Sequence, residues 1–122
     1  MNKTILYVDD DDTVLAVMKD ILHCEGFNII VDDGNSLFKI LHKEQIGLIF
    51  MDERLKKGYG SDLCKHIKAS KSFNNIPVIM VSGQWAIPEI AHECGASGFI
   101  RKPFDMYDVI SLINLHYTHR QK

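Results

Sequence analysis

The sequence predicts an α/β fold, a single doubly wound (βα)5 domain built on a five-stranded parallel sheet. Three observations predict it. Five short apolar runs, at residues 4–8, 27–31, 46–51, 76–81 and 98–101, are separated by segments whose apolar residues recur at helical spacing. The runs are continuous, as strands covered on both faces tend to be. The 122 residues suffice for one domain with a real core and are too few for two. Alternation of this kind implies right-handed crossovers and a parallel sheet. The flavodoxin-like strand order 2-1-3-4-5 then brings the first, third and fourth strands together at one edge.

Each element has its own justification. The first strand, Thr4-Ile5-Leu6-Tyr7-Val8, is stopped by Asp9-Asp10-Asp11-Asp12. The first helix is expected over 13–25, with Val14, Val17, Met18, Ile21 and Leu22 on one face and Gly26 as the stop. Asp11 and Asp12 stand at its start, where carboxylates accept the unpaired N–H groups. After the second strand, Leu37, Phe38 and Leu41 mark a helix over 35–44. The third strand ends at Asp52, and the helix over 61–70 carries Leu63, Cys64 and Ile67. The fourth strand ends in Ser82. Pro88 is excluded from a helix interior, so it marks the first turn of a short fourth helix with an unusual approach loop at 83–87. In that loop Trp85 and Ile87 are large apolar groups, which makes them a candidate docking patch. The fifth strand leads to Lys102, and a last helix over roughly 105–117 aligns Met106, Val109, Ile110 and Ile113. No repeat, linker or low-complexity segment interrupts the series.

Composition narrows the function. Apolar content of 46% and charged content of 25% are those of an ordinary soluble globule. No apolar stretch approaches membrane-spanning length and the start lacks a signal-peptide pattern, so no membrane association is expected. With a net charge of −2 and scattered Lys and Arg, nothing favours direct nucleic-acid binding. The basic tail His119-Arg120 reads as solvated. Cys24, Cys64 and Cys94 form an odd set without C-x-x-C spacing, which fits a reducing cytoplasm better than a disulfide frame or zinc site. Cys64-x-His66 has no second pair to complete a metal site, and the cysteines read as small packing residues.

In an open parallel sheet the strand ends lie on the edge where ligands bind. Asp9, Asp10 and Asp52 would gather there. Carboxylates so placed repel one another and require a hard cation; Mg²⁺ takes oxygen ligands and keeps waters for a phosphoryl group. Lys102 and the Ser82 hydroxyl suit phosphoryl oxygens. Val8-Asp9-Asp10, Asp52, Pro77-Val78-Ile79-Met80-Val81-Ser82-Gly83 and Gly95-Ala96-Ser97-Gly98-Phe99-Ile100-Arg101-Lys102-Pro103-Phe104 carry a resemblance in this order and spacing. Over residues 3–115 the chain resembles the receiver domain of two-component response regulators.

The resemblance implies a set of roles. Asp52 is the phosphoacceptor, a carboxylate that attacks phosphorus to give an acyl phosphate. Asp10 binds Mg²⁺ directly and Asp9 partly through water; Asp52 and the backbone carbonyl of Arg54 complete the protein's share of an octahedral shell. Lys102 reaches the phosphoryl oxygens, and its bond to Pro103 is cis. Ser82 moves toward the phosphoryl group while Phe99, the switch aromatic, turns inward. The donor is a sensor histidine kinase or phosphotransfer protein. Output passes through the face of helix 4, strand 5 and helix 5 to a downstream partner or output domain, with a homodimer also open. All of 1–122 is receiver, with no output domain within it. Such a domain is not an enzyme in the usual sense; it assists its own phosphorylation by positioning and charge neutralisation.

Some positions depart from that pattern. Lys56 stands where a proline is usual, so Gly58 and Gly60 must set the loop geometry. Arg54 and Gln84 occupy the two positions that tune how long the phosphoryl group survives. An enzyme alternative exists: Asp9-x-Asp11-x-Thr13-Val14 resembles the nucleophile motif of haloacid-dehalogenase-like Mg-dependent phosphatases, with Asp9 and Asp11 as the working pair. That family needs a further acidic motif on a strand beyond the lysine. Here only Asp105 and Asp108 follow, on the closing helix, and Asp52 is left without a role. An FMN binder is disfavoured by four aspartates where its phosphate would sit.

Overall fold

In chain order the elements are β1 (Thr4–Val8), α1 (Asp12–Cys24), β2 (Asn28–Asp32), α2 (Leu37–Lys43), β3 (Leu48–Asp52), β4 (Arg54–Leu55), β5 (Gly58–Tyr59), α3 (Gly60–Ala69), β6 (Val78–Ser82), α4 (Ile87–Cys94), β7 (Gly98–Arg101) and α5 (Met106–His116). This computed structural model describes residues 3–119; Arg120 of the basic tail lies outside the described residues. The main sheet is parallel throughout, in the order β2-β1-β3-β6-β7. This is the expected 2-1-3-4-5 order once the two-stranded ribbon β4–β5, which the apolar pattern does not announce, is set aside.

Burial follows position in the sheet. The inner strands β3 and β6 are buried along their whole length, whereas the edge strands β2 and β7 are only partly covered. Successive residues point to opposite faces. Ile5, Tyr7, Leu48, Phe50, Ile79 and Val81 pack under α1 and α5 with Leu15, Met18, Leu22, Val109 and Ile113. Leu6, Val8, Ile49, Met51, Val78 and Met80 pack under α2, α3 and α4 with Leu37, Leu41, Cys64, Ile67, Ile87 and Ala91. The sheet therefore separates two cores, and its C-terminal edge is left for polar residues.

Three differences from the sequence reading have physical causes. In α1 two stripes compete, Val14-Val17-Ile21 and Leu15-Met18-Leu22, each with apolar residues three and four apart. The second faces the sheet and is buried, and Val17 is 48% exposed. The strands β2, β3 and β6 run one residue past their apolar runs and end on Asp32, Asp52 and Ser82. Backbone pairing does not stop at a polar side chain: Asp52 stands opposite Val81, and the Glu53 N–H donates to the Val81 carbonyl at 3.0 Å. Cys64 and Cys94 are buried packing residues as expected, but Cys24 is exposed. The short α4 starts with Pro88 in its first turn and ends at Gly95, whose φ of 81° lies in the left-handed region.

Candidate functional site

Asp52 is the last residue of β3 and Ser82 the last of β6, so the sheet itself positions both. Asp9 follows β1 and stays on the sheet through its N–H, which donates to the Asp32 carbonyl at 3.1 Å. Asp9 and Asp52 are buried, Asp10 half-buried. Asp9, Asp10 and Asp52 each offer a carboxylate oxygen within 4.8 Å of the others. Lys102, just past β7, brings its Nζ to 3.0 Å from Asp52 Oδ1 and 3.7 Å from Asp9 Oδ2. The Lys102–Pro103 peptide bond is cis.

The Lys102 ammonium pairs with two of the three carboxylates, and burial is the main influence on how these acids titrate. Burial pushes the Asp52 carboxyl up to about 6; Lys102 opposes this and the charge of Asp9 adds to it. Burial also raises Asp9, against the N–H of Asp11 and the charge of Lys102. For Lys102, burial works downward, but Asp52 and Asp9 outweigh it and hold the ammonium above its ordinary range. Asp9 Oδ1 accepts from the Asp11 N–H at 2.9 Å, but among the described residues the buried Asp9 Oδ2 has no hydrogen-bond partner, only the Lys102 ammonium at 3.7 Å. A buried oxygen left in that state is costly unless something else binds it. Crowded carboxylates with an orphan oxygen are what a hard divalent cation would use, so the residues fit Mg²⁺. The Tyr7 hydroxyl, also buried and without a hydrogen-bond partner among the described residues, is raised by burial and by Asp9 and Asp52.

A cavity of about 300 Å³ opens over this cluster, lined by Asp52, Arg54, Ser82, Gly83, Gln84 and Lys102. Arg54 and Gln84 thus share it with the Asp52 carboxylate and Lys102. The Ser82 hydroxyl accepts from the Gln84 N–H at 2.9 Å. Phe99 is not in the cavity. It is 38% exposed on β7, which separates it from plain core. A larger cavity of about 540 Å³ shares Asp10 with the acidic cluster and runs toward α3 past Lys56, Lys57 and Tyr59.

Asp11 does not join the site. Its carboxylate accepts from the N–H groups of Thr13 and Val14, at 2.9 and 3.3 Å, and caps α1. An Asp9–Asp11 working pair is therefore not assembled. Trp85 is 91% exposed, but Ile87 is fully buried, so the apolar patch expected from the two together is Trp85 alone.

The loop after Asp52 holds a residue the sequence reading missed. Glu53 is buried, its carboxylate accepts from the Ser61 N–H at 2.8 Å and the Ser61 hydroxyl at 3.0 Å, and its carbonyl accepts from the Gly60 N–H at 2.8 Å. It ties the loop after Asp52 to the first turn of α3 across the β4–β5 ribbon. No local pattern announces this, because donor and acceptor stand eight positions apart. The ribbon turns through Lys56-Lys57 and pairs Leu55 with Gly58, whose φ of 147° favours glycine; this replaces the missing proline.

Comparison with known proteins agrees with this geometry. A family model described as the response regulator receiver domain matches residues 5–114. The chemotaxis protein CheY-3 of Vibrio cholerae is 33% identical over 107 residues, 84% of this chain and 82% of that protein. The transcriptional regulatory protein CpxR of Escherichia coli is 32% identical across the whole chain, which spans 54% of CpxR. Among solved structures, the receiver domain of the Pseudomonas aeruginosa sensor histidine kinase PA1611, with a magnesium ion coordinated in its active-site cleft, has the same fold. Its TM-score is 0.84 at 21% identity, over 95% of this chain and 98% of that one. Nothing among these comparisons supports a phosphatase of the haloacid-dehalogenase type. With the five-stranded order, the acidic cluster and the lysine all in place, the chain belongs to the family of response regulator receiver domains, the phosphoacceptor signalling modules of two-component systems.

Proposed function

We propose that Asp52 is the phosphoacceptor and that Asp9, Asp10, Asp52 and the backbone carbonyl of Arg54 hold Mg²⁺. The observation that carries this reading is the meeting of Lys102 Nζ with Asp52 Oδ1 at 3.0 Å beside two further carboxylates. The magnesium in the cleft of the PA1611 receiver supports the choice of cation. Bound there, Mg²⁺ supplies charge neutralisation to the carboxylates and the incoming phosphoryl group together. The chain's own residues do the rest. Asp52 supplies the attacking oxygen, and the new O–P bond forms as the donor's bond to phosphorus breaks. Lys102 offsets charge on the phosphoryl oxygens, and Ser82 turns its hydroxyl from Gln84 toward them.

The donor is a sensor histidine kinase or a phosphotransfer protein. The output is a two-state shift at the face of α4, β7 and α5, read by a downstream partner, an attached output domain or a second copy. The place of the reaction is the cytoplasm, in keeping with three free cysteines. Incubation with a small phosphodonor and Mg²⁺ is expected to add one phosphoryl group, mapped by peptide mass to the segment holding Asp52. An adduct on any other segment, or none, would overturn the assignment.

Two further results are expected. Asp10→Asn lowers Mg²⁺ affinity by about tenfold, equivalent to about 1.4 kcal/mol, because one of few protein carboxylates is lost. Titration calorimetry reads this directly, and equal affinity would remove Asp10 from the ligand set. Trp85 fluorescence changes when Mg²⁺ and a phosphoryl mimic are added together, since Trp85 is exposed on the loop that follows Ser82. A flat spectrum in protein independently shown to bind the mimic would place this loop outside the switch.

A further inference from the structure

Arg101 is an exposed residue of the edge strand β7, adjacent to Lys102 and pairing in register with Ser82. Its side chain reaches two carbonyls and two rings. Nη1 donates to the carbonyls of Gln84 at 3.0 Å and Trp85 at 3.4 Å. The guanidinium lies 5.9 Å from the ring centroid of Trp85 and 5.9 Å from that of Phe99. These contacts reach both moving parts of the expected switch. Gln84, held by its carbonyl, engages the Ser82 hydroxyl through its own N–H at 2.9 Å. Phe99 is held on the outside of the sheet against the same cation.

We infer that Arg101 is a positioning residue, a latch that holds the loop between β6 and α4 and the ring of Phe99 in the resting arrangement. The inference rests on the phosphoacceptor reading of Asp52. For the Ser82 hydroxyl to turn to a phosphoryl group on Asp52, the Gln84 N–H must release it and the loop must shift. For Phe99 to turn inward, it must leave the guanidinium. Both moves break contacts that Arg101 makes, so Arg101 favours the resting state and opposes any ligand that needs the other one. Arginine suits the role because its flat guanidinium lies against two aromatic rings while one nitrogen, Nη1, donates to both carbonyls. Lysine has the charge and could donate to the carbonyls, but it lacks the flat face that holds the two rings. The latch therefore predicts a poor rescue by lysine, where a role of charge alone predicts a full one.

The test uses beryllofluoride with Mg²⁺ as the phosphoryl mimic on the full chain, read by calorimetry because Arg101 touches the tryptophan ring. Arg101→Ala is expected to bind the mimic about fivefold more tightly than wild type, the order expected for losing an exposed cation–π contact and a surface charged hydrogen bond. Amide exchange at Gln84 and Trp85 is expected to quicken in the same variant, and Arg101→Lys is expected to resemble Arg101→Ala in both. Because the lost contacts support the resting fold only, thermal melting of the metal-free variants should fall by no more than a few degrees, the drop that matches the change in mimic binding. Unchanged or weaker mimic binding by Arg101→Ala, while wild type binds, overturns the latch and leaves Asp52 as acceptor. Full restoration by Arg101→Lys also overturns it, in favour of a simple charge effect. If wild-type protein with Mg²⁺ does not bind the mimic, the phosphoacceptor reading fails and the latch falls with it.

Discussion

Asp52→Asn is expected to abolish phosphoryl uptake and, without divalent cations, to make the fold more stable. The first effect follows from chemistry: an amide oxygen does not replace a carboxylate as nucleophile toward phosphorus. The second follows from the site's electrostatics. The Asp52 carboxyl titrates at about 6 in the fold, raised first by burial and further by Asp9. In an unfolded chain an aspartate titrates at about 4. The folded value is the higher one, so the fold disfavours the ionised form. Stability from this group is greatest below about pH 4, is lost as pH rises to about 6, and its full cost is present at neutral pH. A shift of this size is worth on the order of 2 kcal/mol, and asparagine avoids it. Urea denaturation at pH 7 in a chelator should place the variant's midpoint above wild type, with the gap closing at acid pH. Added Mg²⁺ should reverse the order, since it stabilises the protein that keeps the carboxylate. A variant less stable than wild type in chelator would mean that Asp52 is not strained by its neighbours.

Gly60→Ala is the second large effect, and it reaches Asp52, the proposed acceptor, through the backbone. Gly60 opens α3 and is buried against the strand that carries Asp52. A Cβ at this position would overlap the Asp52 carbonyl oxygen and lie 2.7 Å from Met51 Cγ and 3.0 Å from the Asp52 carbonyl carbon. The Gly60 N–H is already committed to the Glu53 carbonyl at 2.8 Å, so neither side can yield without moving the acceptor loop. Overpacking against backbone of this kind costs about 3 kcal/mol. Urea midpoints should fall accordingly, and Mg²⁺ affinity should fall with them as Asp52 is displaced. Gly58→Ala is the comparison: nothing lies within 4 Å of its added Cβ, so only the positive φ is penalised, at about 1–3 kcal/mol, and Asp52 is not displaced. If Gly60→Ala binds Mg²⁺ as Gly58→Ala does, the close approach of α3 to the strand that carries Asp52 is wrong.

Much of this molecule is legible in the chain because its information is local. Five apolar runs of strand length, the stripes of helical spacing between them and the glycine and proline stops determine the element order. The parallel topology then follows from chain handedness and short connections. The edge residues Asp9, Asp10, Asp52, Ser82 and Lys102 were visible because each directly follows or ends an apolar run, and a parallel sheet brings such ends together. Asp11 was legible as a cap for the same reason: its partners are two and three residues away.

Tertiary structure decided what depends on residues far apart in sequence. Two apolar stripes on α1 are equivalent in period, and only contact with β1 and β3 selects Leu15, Met18 and Leu22. Ile87 reads as a loop residue from the chain; it is buried because α4 lies on the sheet and packs it into the core with Val78 and Met80. Glu53 acts on Ser61 across a ribbon, and Arg101 acts on Gln84 and Trp85 from another strand, at separations where neither spacing nor composition carries a signal. Sequence determines where a polar group stands along its strand. Which partner it meets, and how far its charge is desolvated, is settled only when the cores on both faces of the sheet close and place the strand ends at fixed distances.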